Sequence, residues 1–452
     1  MRMSYEGSSL PVAAVVGLFC VLKLGLVMAL LAGNPAVFHY GDGQEYAALA
    51  ETWYHAGRYA RGVDAPSEIF RLPGYSAFLL LAQPLDEGHR YAIVSIAQVV
   101  LLHVWLLLVG RWMQRRFGVA SALVFIILLS LTITWIHYPA TIHSDFQFAV
   151  LVFTGLVFSL EAACATHRRP VLLIGSALCW MGAALTRPDL AVFPFWLLVS
   201  LAASALWNRW RRPQRPLDAG GQIVVLAAVS GTIFLWALRN FLAGGRFTYT
   251  AVFDYAVNLF AGGQLRSGAK AEGLPRTDLA FVDIVFGMAR HLETLIGESL
   301  PALAKIFFSP GRWYFHRYGE ALGIKIETDA VPIAVAGWLG FPPNEMAYIA
   351  FNVGVSATIG AALILFLWRL ARGAVAAPSE WIGMTVWVLL YFLLQKGAWG
   401  AFDPGNGPRY AMSMYPFIVF LGALAVARPR WRESGRQGAP GGEGISTLPA
   451  AR

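Results

Sequence analysis

The chain has 452 residues, 57% of them hydrophobic and 13% charged, with a mean hydropathy of +0.56. Soluble globular proteins carry about 25% charged residues, so a soluble protein is excluded and an all-α polytopic membrane protein is expected. The net charge of +9 is spread over short loops and the C-terminal tail, which excludes the continuous basic face of a nucleic-acid-binding protein.

Apolar runs near bilayer-spanning length occur at 10–33, 91–110, 119–137, 146–164, 171–186, 190–207, 222–241, 348–368, 381–395 and 411–427, which makes about ten spans. The first run is too long for a signal-peptide core and reads as a retained helix. Cys20, Cys164 and Cys179 fall in or at the end of apolar segments, a pattern that fits neither a disulfide framework nor a metal cluster.

Arginines recur in alternate loops: Arg111/Arg115/Arg116, Arg168/Arg169, Arg209/Arg211/Arg212/Arg215, Arg369/Arg372, and Arg428, Arg430, Arg432 and Arg436. Alternating the spans puts all five groups, with both termini, in the cytosol. A transmembrane unit is expected over 1–427, followed by a disordered cytosolic tail, 428–452, that lacks apolar periodicity.

The other side receives two large loops, 34–90 and 242–347, and a shorter one at 396–409. The first opens on Tyr40-Gly41-Asp42-Gly43-Gln44-Glu45-Tyr46. Read alone, Asp42 fits a solvated turn or the N-cap of a helix over 44–54. The same position would also suit an acid that takes a proton from a substrate hydroxyl, a reading that needs the rest of the chain to favour it. Phe70-Arg71-Leu72-Pro73-Gly74-Tyr75 follows, then an apolar run to Leu85 that is too short to span and is expected at the interface. The second loop is expected to carry interfacial helices near 279–289, 300–308 and 331–341.

Charges at the outer ends of the spans are costly there. They are Asp145, Arg187-Pro188-Asp189, Arg239-Asn240, Lys396 and Arg409-Tyr410. A single arginine could snorkel or pair with a carboxylate such as Asp189. A ring of them suits a phosphate or pyrophosphate, which a guanidinium grips with two hydrogen bonds. Asp42 and Glu45, one helical turn apart, could share a divalent cation. His39, His137 and His143 also lie on this side, without zinc-site spacing. Walker and Rossmann glycine loops are absent.

From about Leu10 to Ala427 this pattern resembles the GT-C superfamily of integral-membrane glycosyltransferases. It is most similar to the branch of bacterial protein-mannosyltransferase relatives and lipid A aminoarabinose transferases. Four features carry the resemblance. They are the first-loop acid Asp42 followed by Tyr46; Arg71–Tyr75 with Gln98; Leu185-Thr186-Arg187-Pro188; and Arg239-Asn240 with Gly245-Arg246-Phe247, Asn258–Gly263, Arg409-Tyr410 and Pro416. The resemblance implies an inverting transferase with a sugar on a polyprenyl phosphate as donor and a lipid, glycan or protein hydroxyl as acceptor. It implies Asp42 as general base and Asp145 as a second acid, with Arg187, Arg239 and Arg409 on the lipid phosphate. Arg71, Tyr75, Asn240 and Tyr410 complete the substrate-binding set. It also implies a bacterial inner-membrane location with the site facing the exterior. The chain departs from that branch at Arg71, where Arg-Leu-Pro-Gly stands in place of an acidic or Lys-Pro-Pro element, so the acceptor does not carry over. A transporter or flippase of a lipid-linked or anionic substrate, and a GT-C-like glycan ligase or polymerase, are the alternatives.

Overall fold

The apolar runs fold as helices because an unpaired backbone N–H or C=O cannot be left in hydrocarbon. The computed structural model describes residues 10–165, 167–210, 219–251, 297, 318–323, 343–375, 377–402, 409 and 411–427. In chain order the helices are α1 (Leu10–Gly33), α2 (Asp42–Ala56), α3 (Pro73–Leu80), α4 (Arg90–Phe117), α5 (Val119–Leu131), α6 (Ile133–His137) and α7 (Ser144–Cys164). They continue with α8 (Arg169–Thr186), a 3-10 turn at Pro188–Leu190, α9 (Phe193–Trp210), α10 (Ala219–Gly244), α11 (Pro343–Ala371), α12 (Ser379–Phe402) and α13 (Tyr415–Leu424).

Six of these, α1, α4, α7, α8, α10 and α11, are long and apolar enough to cross a membrane, against the ten or so runs in the sequence. The run 119–137 is divided at Thr132, which is extended (φ −67°, ψ 134°). Residues 411–427 contain a helix of only ten residues, α13. The interfacial helices expected at 279–289, 300–308 and 331–341, the tail 428–452 and Tyr410 lie outside the described residues.

The core is apolar and aromatic, with Trp135, Trp180, Trp381, Phe125 and Phe153 fully buried. Helices α7 and α8 pack side by side, as do α1 with α4 and α5, and α13 with α5 and α11. Between α7 and α8 the Ser159 and Ser176 hydroxyls lie 2.7 Å apart, each within 3.0 Å of the Gly155 carbonyl, so one donates to that carbonyl and the other to its partner hydroxyl. Small hydroxylated residues let membrane helices approach and supply polar contact where lipid offers none.

In the first outer loop the expected helix spans Asp42–Ala56, and its N-cap is Gly41 rather than Asp42. The short apolar run after Arg71 forms α3, opened by Pro73 in the first turn, where a missing N–H costs nothing. Helix α3 packs against α2 and α8 with Tyr75, Ser76 and Leu79 buried. This loop therefore lids one end of the bundle.

Candidate active site

Two carboxylates enter the site at helix N-termini, Asp42 in the first turn of α2 and Asp145 in the first turn of α7. The positive end of the helix dipole favours an anion there. Gly41 turns the chain into α2 with φ 52°, a left-handed value that suits a residue without Cβ. Gly43 is required by proximity, since a Cβ on it would lie 2.2 Å from the Ile142 carbonyl oxygen. The segment 138–143 thus lies directly under α2. Its Ile142 N–H donates to Phe38 O at 2.9 Å, and Gln98 Nε2 donates to Thr141 O at 2.9 Å. That strap runs into Ser144 and Asp145, which sets the two acids side by side.

The cations arrive from four other places. Arg187 precedes Pro188, and a residue before proline is driven out of the α region. Helix α8 consequently ends at Thr186, and Arg187 is extended (φ −144°, ψ 147°). Its Nη1 meets Asp145 Oδ1 at 2.6 Å and its Nε meets Asp189 Oδ2 at 2.8 Å. Lys396, from α12, reaches the same Asp189 oxygen at 2.6 Å. Arg409 bridges the two acids, Nη2 to Asp42 Oδ2 at 2.6 Å and Nε to Asp145 Oδ2 at 2.8 Å. Arg71 takes the other Asp42 oxygen at 2.7 Å and Glu45 Oε2 at 2.8 Å. Arg61 joins Glu45 at 3.2 Å to Glu68 at 2.6 Å.

The result is one continuous ladder of alternating charge. Arg61, Arg71, Arg409, Arg187 and Lys396 alternate with Glu68, Glu45, Asp42, Asp145 and Asp189, so it carries no net charge. Exposure falls along it, from 47% for the Arg61 side chain through 22% for Asp42 and 13% for Arg409 to 4% for Asp145 and 2% for Lys396. Asp42 is therefore the most accessible of the three aspartates. Burial raises the Asp42 pKa, but the Arg409 and Arg71 guanidiniums more than reverse this and hold its carboxyl well below the usual carboxylate range. His143, just before α7, is buried, with Nδ1 unpartnered. Burial, then Arg409, pushes its pKa down to about 3, so the imidazole is neutral.

Of the residues singled out in the sequence, Asp42, Glu45, Arg71, Asp145, Arg187 and Arg409 come together. Asp42 and Glu45 do share a cation, the guanidinium of Arg71. Among the described residues no cluster of three or more His, Cys, Asp or Glu is arranged to hold a metal. Of the candidate histidines, His137 Nε2 lies 2.7 Å from Tyr40 Oη, and His39 stacks on Tyr91.

Tyr75 lies beneath the site, fully buried, and donates to Gln98 Oε1 at 2.9 Å. Arg239 donates to the Glu68 carbonyl at 2.7 Å and lies over Trp236, while Asn240 donates to the carbonyls of Thr248 and Tyr249 at 2.8 and 3.2 Å. These residues brace the loop that carries Arg71. Arg61 and Glu68 were not singled out in the sequence. Glu68 accepts the Phe70 and Arg71 N–H groups at 2.5 and 3.1 Å, and the only signal for it was an acid three residues before Arg71.

No family model matches the chain, and no curated protein matches it. Among solved structures it is similar to ArnT from Cupriavidus metallidurans bound to undecaprenyl phosphate, at 18% identity and a TM-score of 0.40, covering 91% of this chain and 76% of that one. The apo state of the same ArnT gives 18% identity, a TM-score of 0.34 and coverages of 90% and 78%. The archaeal oligosaccharyltransferase AglB from Archaeoglobus fulgidus, in complex with an inhibitory peptide and a dolichol-phosphate, gives 13%, 0.32, 90% and 56%. Each likeness is loose.

Proposed function

We propose that the chain is an integral-membrane glycosyltransferase that moves a sugar from a polyprenyl-phosphate donor to an acceptor hydroxyl. Asp42 is the general base, and Arg409 with Arg187 holds the lipid phosphate. One observation carries this reading: the Arg409 guanidinium touches both Asp42 and Asp145. A buried ion array of this kind is a poor route to stability and is expensive beside a bilayer.

The chemistry keeps the ladder balanced. The acceptor oxygen attacks the anomeric carbon in line with the departing phosphate oxygen, the bond from carbon to that oxygen breaks, and the configuration inverts. The acceptor proton passes to Asp42, which loses its charge, while the phosphate gains one. Arg409, already in contact with Asp42, meets the charge where it develops. The greater exposure of Asp42 supports it as the base, because an acceptor reaches it before the nearly inaccessible Asp145. An apolar cavity of about 410 Å³, lined in part by Trp180, Phe193, Leu197 and Trp387, lies farther along α8, α9 and α12 and suits an isoprenoid chain.

In this reading the ladder faces the exterior of a bacterial inner membrane. The end of the bundle where Arg116 pairs with Glu161 faces the cytosol, as the arginine loops require. Transfer of labelled sugar from polyprenyl-phosphate donors by the purified protein in liposomes tests the proposal. No transfer from any such donor, with an intact ladder, would sink it.

A further inference from the structure

We infer that donor phosphate and Asp42 compete for Arg409, so that the base is held idle in the empty enzyme and released when the donor binds. The inference rests on the functional reading above and deepens it.

The geometry leaves little room for simple addition. Arg409 offers Nη2 to Asp42 and Nε to Asp145, so its Nε–Nη2 edge, one of the two forks with which it could grip a phosphate, is already occupied. The ladder is neutral, so an added anion leaves one negative charge in excess, which costs least on the carboxylate that water can reach. One carboxylate must yield. Asp145 is 4% exposed and is also held by Arg187. Asp42 is 22% exposed, keeps Arg71 on its other oxygen, and can be rehydrated. The phosphate therefore takes the Nη2 side of Arg409, and Asp42 retains one guanidinium in place of two.

The exchange has a chemical consequence. A carboxylate clamped between two arginines is a weak proton acceptor; one freed from its nearer clamp is a better one. Base strength then appears only when a leaving group is in place, and substrate binding is ordered, donor before acceptor. His143, with an unpartnered Nδ1 in the same pocket, is a neutral neighbour that does not compete for either guanidinium.

The experiment is binding of undecaprenyl phosphate to the purified full-length chain in detergent, for wild type and Asp42→Asn. If Asp42 competes, removing its charge tightens binding by about tenfold or more, the equivalent of roughly 1.4 kcal/mol. On the unmutated protein, carbodiimide-driven coupling of an amine to Asp42, read by peptide mass spectrometry, should rise when undecaprenyl phosphate is added; this holds even if Asp42→Asn does not fold. Unchanged or weaker binding by a folded Asp42→Asn protein, or labelling that does not rise, overturns the exchange while leaving the transferase reading intact. Failure of the wild type to bind undecaprenyl phosphate removes the donor class itself, and the exchange with it.

Discussion

Arg409 Nη2 lies 2.6 Å from Asp42 Oδ2, joining the first outer loop to a residue 367 positions later in the chain (409 − 42). The same guanidinium holds Asp145. In the proposed mechanism this ties base and leaving-group site through one side chain, and most of what can be tested follows from that link.

Asp42→Asn keeps the size of the side chain and removes the proton acceptor. Loss of a general base costs about 10²–10⁴-fold in rate. Sugar transfer per folded enzyme at saturating donor should fall by that factor. Near-normal turnover would take Asp42 out of the mechanism and make Asp145 the next residue to test.

Arg409→Ala strands Asp145 on Arg187 alone and removes a phosphate contact. Loss of a charge-assisted hydrogen bond costs about 1.5–3 kcal/mol of binding. Donor binding should weaken by about ten- to a hundredfold, with Arg409→Lys recovering only part, because an ammonium lacks the planar fork. Thermal melting of both variants beside the wild type separates this from loss of fold.

The Asp42 carboxyl is depressed in the folded chain, so its contribution to stability is complete above the ordinary carboxylate value of 3.8. That contribution is lost only as pH falls further, through the folded value. The difference in melting temperature between wild type and Asp42→Asn should therefore stay constant on acidification from pH 7 to pH 5, while the buried neutral His143 lowers both curves alike. Kinetics add a sharper test. The acid limb of kcat/KM for donor reports the free enzyme and that of kcat the loaded one. Release of Asp42 from Arg409 places the kcat limb at the higher pH. Coincident limbs would count against that release.

Gly43→Ala would ordinarily strengthen a helix by up to about 1 kcal/mol. Here the added methyl meets the Ile142 carbonyl oxygen and must push α2 off the strap. Overpacking of this kind costs about 1–3 kcal/mol. A lower melting temperature together with reduced turnover is expected, and a stabilised, fully active variant would refute the close contact.

Single cysteines at Asp64 and Gly373, in a background lacking Cys20, Cys164 and Cys179, test the orientation. A membrane-impermeant maleimide added to intact cells should label the first and spare the second. Both positions are exposed, so labelling of both from outside would overturn the topology.

How much of this was legible in the sequence depends on the range of the physics involved. Hydropathy, the arginine alternation and the turn signals are local, and they pointed to a helical membrane chain, to a helix after Asp42 that in fact opens at Asp42 itself, and to the stop of α8 before Pro188. They also marked Asp42, Asp145, Arg187 and Arg409 as costly charges at one face, because a charge at the end of an apolar run stands out without any partner in view. The pairing was not legible. Nothing in the spacing says that Arg71 sits between Asp42 and Glu45, that Lys396 meets Asp189, or that Arg239 and Asn240 are spent on backbone carbonyls. Those assignments depend on which guanidinium reaches which carboxylate within 3 Å. Only the tertiary packing of α2, the strap 138–143 and the outer ends of α7, α8 and α12 decided that.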